Sequence, residues 1–366
     1  MLHGYTVGVT ADRRWDEQAA LFERRGATVL HGPTIRTLPL GSDERLRVAT
    51  DEVVARRPAF VLVNTALGFR SWFSQAETWG LGDALQDAVA ASRVFGRGPK
   101  AAGAVHAHGI DVEGRAPSER LFDAIDLVLA VLEPGDAVAL VLDGSDDGDA
   151  IDRLRDGGAD VIAVPVYRWE LPEDRGPALR LVDGVLGGRV HAVTFTAGPA
   201  VRNLFTIADD AGLGDSLREV LRGGPVVGCV GPVCAETTVA LGVDAGALVV
   251  PERWRLGPLV RTVADHLSRR TVVIDVGGNH VEISGSLVHI DGQPVALSET
   301  EAQVLAVLAA RPGVVHAKAD LLRLVWRDES ADPHVVEVAV ARMRRRLGPL
   351  APHLTSVYRR GYALRS

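Results

Sequence analysis

The stretch His334-Val335-Val336-Glu337-Val338-Ala339-Val340-Ala341-Arg342-Met343-Arg344-Arg345-Arg346-Leu347 decides how the C-terminal part of this chain is read. Val336, Val340, Met343 and Leu347 recur at helical spacing and predict one buried stripe. At about 100° per residue, His334, Val338, Ala341, Arg342 and Arg345 fall on the opposite face. Small residues flanked by arginine suit a major groove, because a guanidinium bridges guanine O6 and N7 and a valine meets a thymine methyl. Arg344 and Arg346 lie on the flanks, where contact with phosphate positions a domain without reading sequence.

The surrounding segments extend this pattern. Leu297-Ser298-Glu299-Thr300-Glu301 opens an amphipathic helix, with Ser298 and Glu301 spaced as a capping box. Leu305 and Leu308 then face a core, as do Leu321, Leu322, Val325 and Trp326 in a second helix over Ala319–Trp326. Val357-Tyr358-Arg359-Arg360-Gly361-Tyr362 closes a hairpin, with Tyr362 expected in the core. Strand-like pieces at Thr271–Asp275, His280–Ser284 and Leu287–Asp291 precede these helices, separated by Gly277-Gly278-Asn279 and Asp291-Gly292 turns. In length and motif order residues 271–366 resemble the output domain of OmpR-type response regulators, which implies a winged helix-turn-helix that binds double-stranded DNA. Tyr358 stands where that family usually has a minor-groove arginine. Arg359 and Arg360 follow, and either one can enter a narrow minor groove.

Composition allows this reading. At 366 residues the chain exceeds one growing core, and two or three domains are expected. The net charge of −7 argues against nucleic acid only as a total. Residues 271–366 carry 11 Lys/Arg against 10 Asp/Glu, and residues 334–366 carry 7 Arg against Glu337 alone. Local charge matters more than the total, since salt screens phosphate attraction within about 8–10 Å. Cys229 and Cys234 are the chain's two cysteines, without metal-ligand spacing; they predict packing roles rather than a disulfide framework or a metal site. No secretory signal and no membrane-length apolar run is visible, so a cytoplasmic protein without a membrane partner is expected. No nucleotide motif opens a helix, and no cofactor is expected.

The first 270 residues alternate short β-branched runs with helical segments, which predicts α/β layers with parallel sheets. An internal repeat runs through them. Ala59–Phe73 matches Ala192–Phe205 in pattern, and Gly98-Pro99-Lys100-Ala101-Ala102 matches Gly231-Pro232-Val233-Cys234-Ala235. Each of the latter leads to a Gly-[Ile/Val]-Asp, at 109–111 and 242–244. A phosphoreceiver is excluded on chemistry, because only Asp12, followed by Arg13-Arg14, stands after the first strand where an acidic pair is needed.

This part resembles uroporphyrinogen-III synthase. The resemblance implies two flavodoxin-like parallel-sheet domains joined by a two-strand hinge: 1–37 with 168–268, and 38–167. The hinge strands would be Ile35–Leu40 and Val164–Trp169. It also implies that an anionic tetrapyrrole or other small acid sits between the domains, held by amides at strand-to-helix turns, where helix N-termini favour anions. Carried over residue by residue, these turns are Thr10; Asn64-Thr65-Ala66; Thr196-Ala197-Gly198; and Gly231 with Val233 and Cys234. Tyr167 matches the family's hinge tyrosine and is the one catalytic candidate if the chain turns over substrate. Ala197, Val233 and Cys234 stand where the family has hydroxyls, so the expectation leans away from catalysis. Together the two resemblances imply a transcriptional regulator with a ligand-sensing half, similar to actinobacterial regulators of nitrate and nitrite assimilation and bound to DNA as a homo-oligomer. The alternatives are a bifunctional enzyme that also cyclises hydroxymethylbilane, or a front half that docks another transcriptional regulator.

Overall fold

The computed structural model describes residues 1–39, 44–142, 144, 148–326 and 330–365. The chain forms two compact units, Met1–Ile35 with Leu171–Ser366, and Arg36–Glu170. Each α/β sheet is five-stranded and parallel, as the alternation of strands and helices predicts.

In the first unit the strand order is Leu248–Val249, Val226–Cys229, Ala192–Phe195, Thr6–Val9, Thr28–His31. Side chains alternate across a strand, so neighbours meet different helices. Val7 joins a core with Leu259, Val260 and Val263 of the helix Leu256–Ser268. Next to it, Gly8 meets Leu181 of the helix Gly176–Leu186, where an added Cβ would lie 2.5 Å from the leucine methyl. Helices therefore cover both faces, and the strands read as near-continuous apolar runs.

The second unit repeats this plan in the order Gly114–Arg115, Arg93–Gly96, Phe60–Val63, Ala137–Val141, Asp160–Val164. Val61 and Val63 pack with Leu46, Phe69 and Trp72, whereas Phe60 and Leu62 pack with Ile125, Val128 and Leu154. The buried Trp72 indole donates to Thr50 Oγ1 at 2.9 Å, which satisfies its one polar atom. An antiparallel pair, Arg36–Pro39 with Tyr167–Glu170, stands at the unit's two chain ends. Val164, expected in the hinge, instead ends the sheet strand in register with Val141 and is fully buried. Burial on the sheet outweighs hinge pairing there, and the second hinge strand starts only at Tyr167. Leu40 lies outside the described residues.

The C-terminal part starts with a four-stranded antiparallel sheet, Val272–Val276, Asn279–Ser284, Leu287–Ile290 and Gln293–Val295. The fourth strand was not expected, because Pro294 and its neighbours carry little β pattern. Helix Glu299–Ala309 follows, with the capping box of Ser298 and Glu301 formed on both sides. The second helix is α-helical only over Lys318–Leu321 and continues as wider π turns over Leu322–Trp326. The helix His334–Arg346 and the hairpin Leu354–Val357 with Gly361–Leu364 complete the domain. Their common core contains Leu305, Leu308, Leu321, Leu322, Val336, Val340, Met343, Leu347 and Tyr362, with Val325 and Trp326 packed at its margin.

Candidate functional site

In the helix His334–Arg346 the apolar stripe is buried, and the opposite face is open. His334, Ala341, Arg342 and Arg345 are exposed and Val338 is half-buried. The three consecutive arginines differ in what they touch. Arg344 donates through Nε and Nη2 to the Leu354 carbonyl at 3.0 and 2.6 Å, and through Nη2 to Ser356 Oγ at 2.9 Å. It ties the helix to the first strand of the hairpin. Arg346 donates to Glu301 Oε2 at 2.9 Å and to the Ala296 carbonyl at 3.3 Å. Glu301 is 2% exposed, so this contact pins the third helix to the capping box of the first. Arg342 and Arg345 lie exposed at the surface. At the helix start, Glu337 takes an ion pair from Lys318, with His334 Nδ1 at 3.2 Å from its other oxygen. Lys318 and His334 hold its carboxyl below the usual range.

The hairpin tip is cationic and exposed at Arg359 and Arg360. Arg359 takes a left-handed φ of 55° and sets its guanidinium 5.2 Å from the centre of the Tyr358 ring. Tyr358 is 82% exposed, unusual for a large aromatic side chain. Lys318 and Tyr358 were not expected as site residues. An ion pair with Glu337, a tertiary contact, brings Lys318 to the third helix.

The strand-to-helix turns of the first unit lie at the carboxyl ends of adjacent parallel strands. Thr10 is fully buried, and its donors are already used: Oγ1 bonds the Thr194 carbonyl at 2.8 Å and the amide lies 3.4 Å from the same oxygen. Beside it Thr194 Oγ1 donates to the Gly8 carbonyl and accepts from Gln18 Nε2 at 3.0 Å. Gln18 Oε1 is buried and finds no partner among the described residues. Thr194 and Gln18 were missed because a threonine within a strand and a glutamine within a helix carry no periodic signal. Ala197 precedes the helix Gly198–Asp210 in extended conformation and offers no side-chain cap; Thr196 is half-buried ahead of it. Gly231 precedes the helix Pro232–Ala240, and an added Cβ there would stand 3.2 Å from the Trp254 ring. Val233 is 56% exposed in that helix's first turn. Cys234 and Cys229 are both buried and free. A hydrogen bond with Cys229 and burial push the Cys234 thiol up, so it stays protonated.

In the second unit the corresponding turn holds a compact polar group. Thr65 caps the helix Ala66–Thr78 by accepting from the Gly68 amide at 3.0 Å, and its hydroxyl lies 3.3 Å from that of Tyr167. Arg97 donates to Asn64 Oδ1 at 2.8 Å, while the buried Asn64 Nδ2 has no partner among the described residues. An unpartnered buried amide costs free energy unless a ligand or water meets it. Thr65 and Tyr167 thus lie together, with Asn64 next in chain, Ala66 opening the helix that Thr65 caps, and Arg97 as an addition. Its place after the strand Arg93–Gly96, at the repeat's Gly-Pro turn, was the signal.

Residues 16–261 match the family model of uroporphyrinogen-III synthase HemD. The chain belongs to the uroporphyrinogen-III synthase HemD family. To this HemD-type part is fused a domain that matches the model "transcriptional regulatory protein, C terminal" over residues 292–364. A mutant uroporphyrinogen III synthase from Thermus thermophilus superposes with a TM-score of 0.59 at 27% identity, covering 72% of this chain and 99% of that one. A putative uroporphyrinogen-III synthase of Methanothermobacter thermautotrophicus is 40% identical over 106 residues, 29% of this chain and 40% of the relative. The HemD-family chain thus spans less than half the length of that relative. The transcriptional regulatory protein PrrA of Mycobacterium leprae is 34% identical over 185 residues, 44% of this chain and 78% of the relative. No helix of the described residues is long and apolar enough to cross a membrane. Among those residues no group of three or more His, Cys, Asp or Glu side chains stands ready to hold a metal.

Proposed function

We propose that this HemD-family chain is a cytoplasmic DNA-binding transcriptional regulator whose synthase-like part senses a small anionic ligand. One observation carries the DNA reading: the third helix leaves Ala341, Arg342 and Arg345 exposed in line with Val338, while Arg344 braces the hairpin that bears Arg359 and Arg360. Arg342 and Arg345 read base edges, and Arg359 or Arg360 enters the minor groove. His334 lies at the helix N-terminus, where phosphate approaches. Arg344 and Arg346 act mainly by holding these groups in place. Its domains on this reading are 1–37 with 168–268, 38–167 and 271–366. A single domain of this size contacts few base pairs, so the protein binds as a homo-oligomer. Selection of bound sequences from a random duplex pool tests the reading. Recovery of a defined site supports it, and indiscriminate binding at low salt alone overturns it.

The ligand part of the proposal rests on Asn64, Thr65, Ala66, Arg97 and Tyr167 in one unit and on the turns at Thr196–Gly198 and Gly231–Cys234 in the other. Asn64 Nδ2, without a partner among the described residues, and the arginine beside it favour an anion, and an acidic tetrapyrrole is the class the family resemblance supplies. Regulation of nitrate and nitrite assimilation would connect such a ligand to a sirohaem-dependent pathway. The second reading, a bifunctional hydroxymethylbilane cyclase, draws on the Thr65–Tyr167 hydroxyl pair. It is disfavoured by Ala197, by exposed Val233 and by Cys234, whose buried thiol faces inward where a hydroxyl would serve.

A further inference from the structure

The helix Leu256–Ser268 ends only three residues before the strand Val272–Val276 of the C-terminal domain. Those residues are themselves held. Arg270 Nη1 donates to the Gly224 carbonyl at 2.8 Å, and the Arg270 amide donates to the Leu267 carbonyl at 2.9 Å. A bonded turn of this length is not a flexible tether, which needs many free residues.

Two further attachments lie far from this turn in sequence. At the first, the main chains of Gly4 and Gly285 meet, both in the left-handed region with φ of 83° and 57°. The Ser286 amide donates to the Gly4 carbonyl at 3.0 Å. A Cβ on Gly4 would stand 2.1 Å from the Ser284 carbonyl oxygen, and one on Gly285 would stand 2.3 Å from the Gly4 oxygen. Only glycine fits both the conformation and the space. Beneath them the buried Tyr5 hydroxyl bonds Thr271 Oγ1 at 3.2 Å, which in turn bonds Ser284 Oγ at 3.1 Å. His191 stands edge-on to Tyr5 and accepts from the Thr6 amide at 3.0 Å. At the second, Gln303 of the first C-terminal helix donates to the Gly188 carbonyl at 3.2 Å. Gly188 has a φ of 72°, and an added Cβ would stand 2.4 Å from Gln303 Nε2.

We propose that these three attachments form a fixed joint, which locks the C-terminal domain to the first parallel sheet so that the two turn as one body. The orientation of a body held at three segments is set by them and not by chain diffusion. The joint uses one end of the small sheet and one side of the first helix. It leaves the exposed residues of the third helix and hairpin uncovered, so it orients the domain without masking it. What happens at the turns of the first sheet is therefore carried to the C-terminal domain without a linker in between. The lock stands on the contacts alone; only its value for DNA recognition rests on the function proposed above.

Trypsin tests the joint in the full chain, since Arg269 and Arg270 lie within it. Cleavage there should be slow in the wild-type protein and about tenfold or more faster in Gly4→Val, provided the circular dichroism of the variant matches wild type, because proteolysis follows the population of the opened state. Equal, rapid cleavage of both would overturn the joint. Should Gly4→Val fail to fold, backbone amide relaxation of the wild-type chain decides. One rotational correlation time shared by residues 6–31 and 272–364 supports the lock, and a shorter one for the second group overturns it. Neither measurement involves DNA, so failure of the DNA reading would leave this test unaffected.

Discussion

Arg342 and Arg344 lie two positions apart on one helix and meet different surroundings. Arg342 is exposed, and its guanidinium is free to form a bidentate bond with a guanine. Replacing it with alanine should cost about 1–3 kcal/mol at one base position and relax specificity there, with little change in melting temperature. Equal losses on specific and random duplexes would make it a phosphate contact. Arg344 spends its donors on Leu354 and Ser356. Arg344→Ala should lower folding stability by about 1.5–3 kcal/mol, the range for hydrogen bonds to a charged group, and weaken binding to all sequences alike. Thermal melts and anisotropy titrations on two unrelated duplexes separate the variants. His191 offers a pH test. Burial, with some help from the nearby Arg270 charge, lowers its pKa to about 4. The unfolded chain, with an ordinary histidine value near 6.5, binds the proton first as pH falls. Stability from the neutral ring is therefore complete above about 6.5, declines as pH drops below that, and is gone below about 4. The swing is on the order of 3 kcal/mol. Urea unfolding at pH 7.5 and pH 5 should show about 2 kcal/mol of it, and His191→Gln should flatten the difference.

The helix Glu299–Ala309 shows how an element is fixed at its ends. Ser298 and Glu301 satisfy each other's free amides, and Arg346 adds a charge to the same carboxylate. Ser298→Ala should cost about 1 kcal/mol, as loss of a helix cap commonly does. An unchanged urea midpoint would mean that the Arg346 contact suffices. Because this element and its partners share a core of their own, the segment 271–366 should fold when expressed alone and bind duplex DNA weakly, with affinity that falls steeply with salt. A circular dichroism spectrum without helix would contradict this. The helix limits follow the capping pattern closely here, whereas the second helix departs from it. Its wider π turns over Leu322–Trp326 pack against the first helix, a contact that no single-segment pattern reports.

At the scale of the whole molecule, the purified protein should show little or no cyclisation of hydroxymethylbilane, because hydroxyls are missing at Ala197, Val233 and Cys234. Turnover comparable to an ordinary synthase would promote the bifunctional reading. If an acidic tetrapyrrole regulates DNA binding, its affinity must change in the presence of the selected duplex by the same factor as the duplex affinity changes in its presence. Identical titrations with and without DNA would remove the regulatory claim. By itself the sequence determined the α/β layers, the repeat, the capped helix and the arginine face, because each is written in residues a few positions apart whose periodicity reports one element at a time. The Thr65–Tyr167 turn was also legible, through resemblance in pattern. Only the tertiary structure decided that Arg344 and Arg346 are braces, that Gln18 and Thr194 are buried beside Thr10, and that Arg97 meets Asn64. It also decided that Gly4 faces Gly285 across 281 positions of chain. Such pairings leave no local trace, because a hydrogen bond or a close backbone approach needs two partners, and spacing along the chain says nothing about which distant residue arrives.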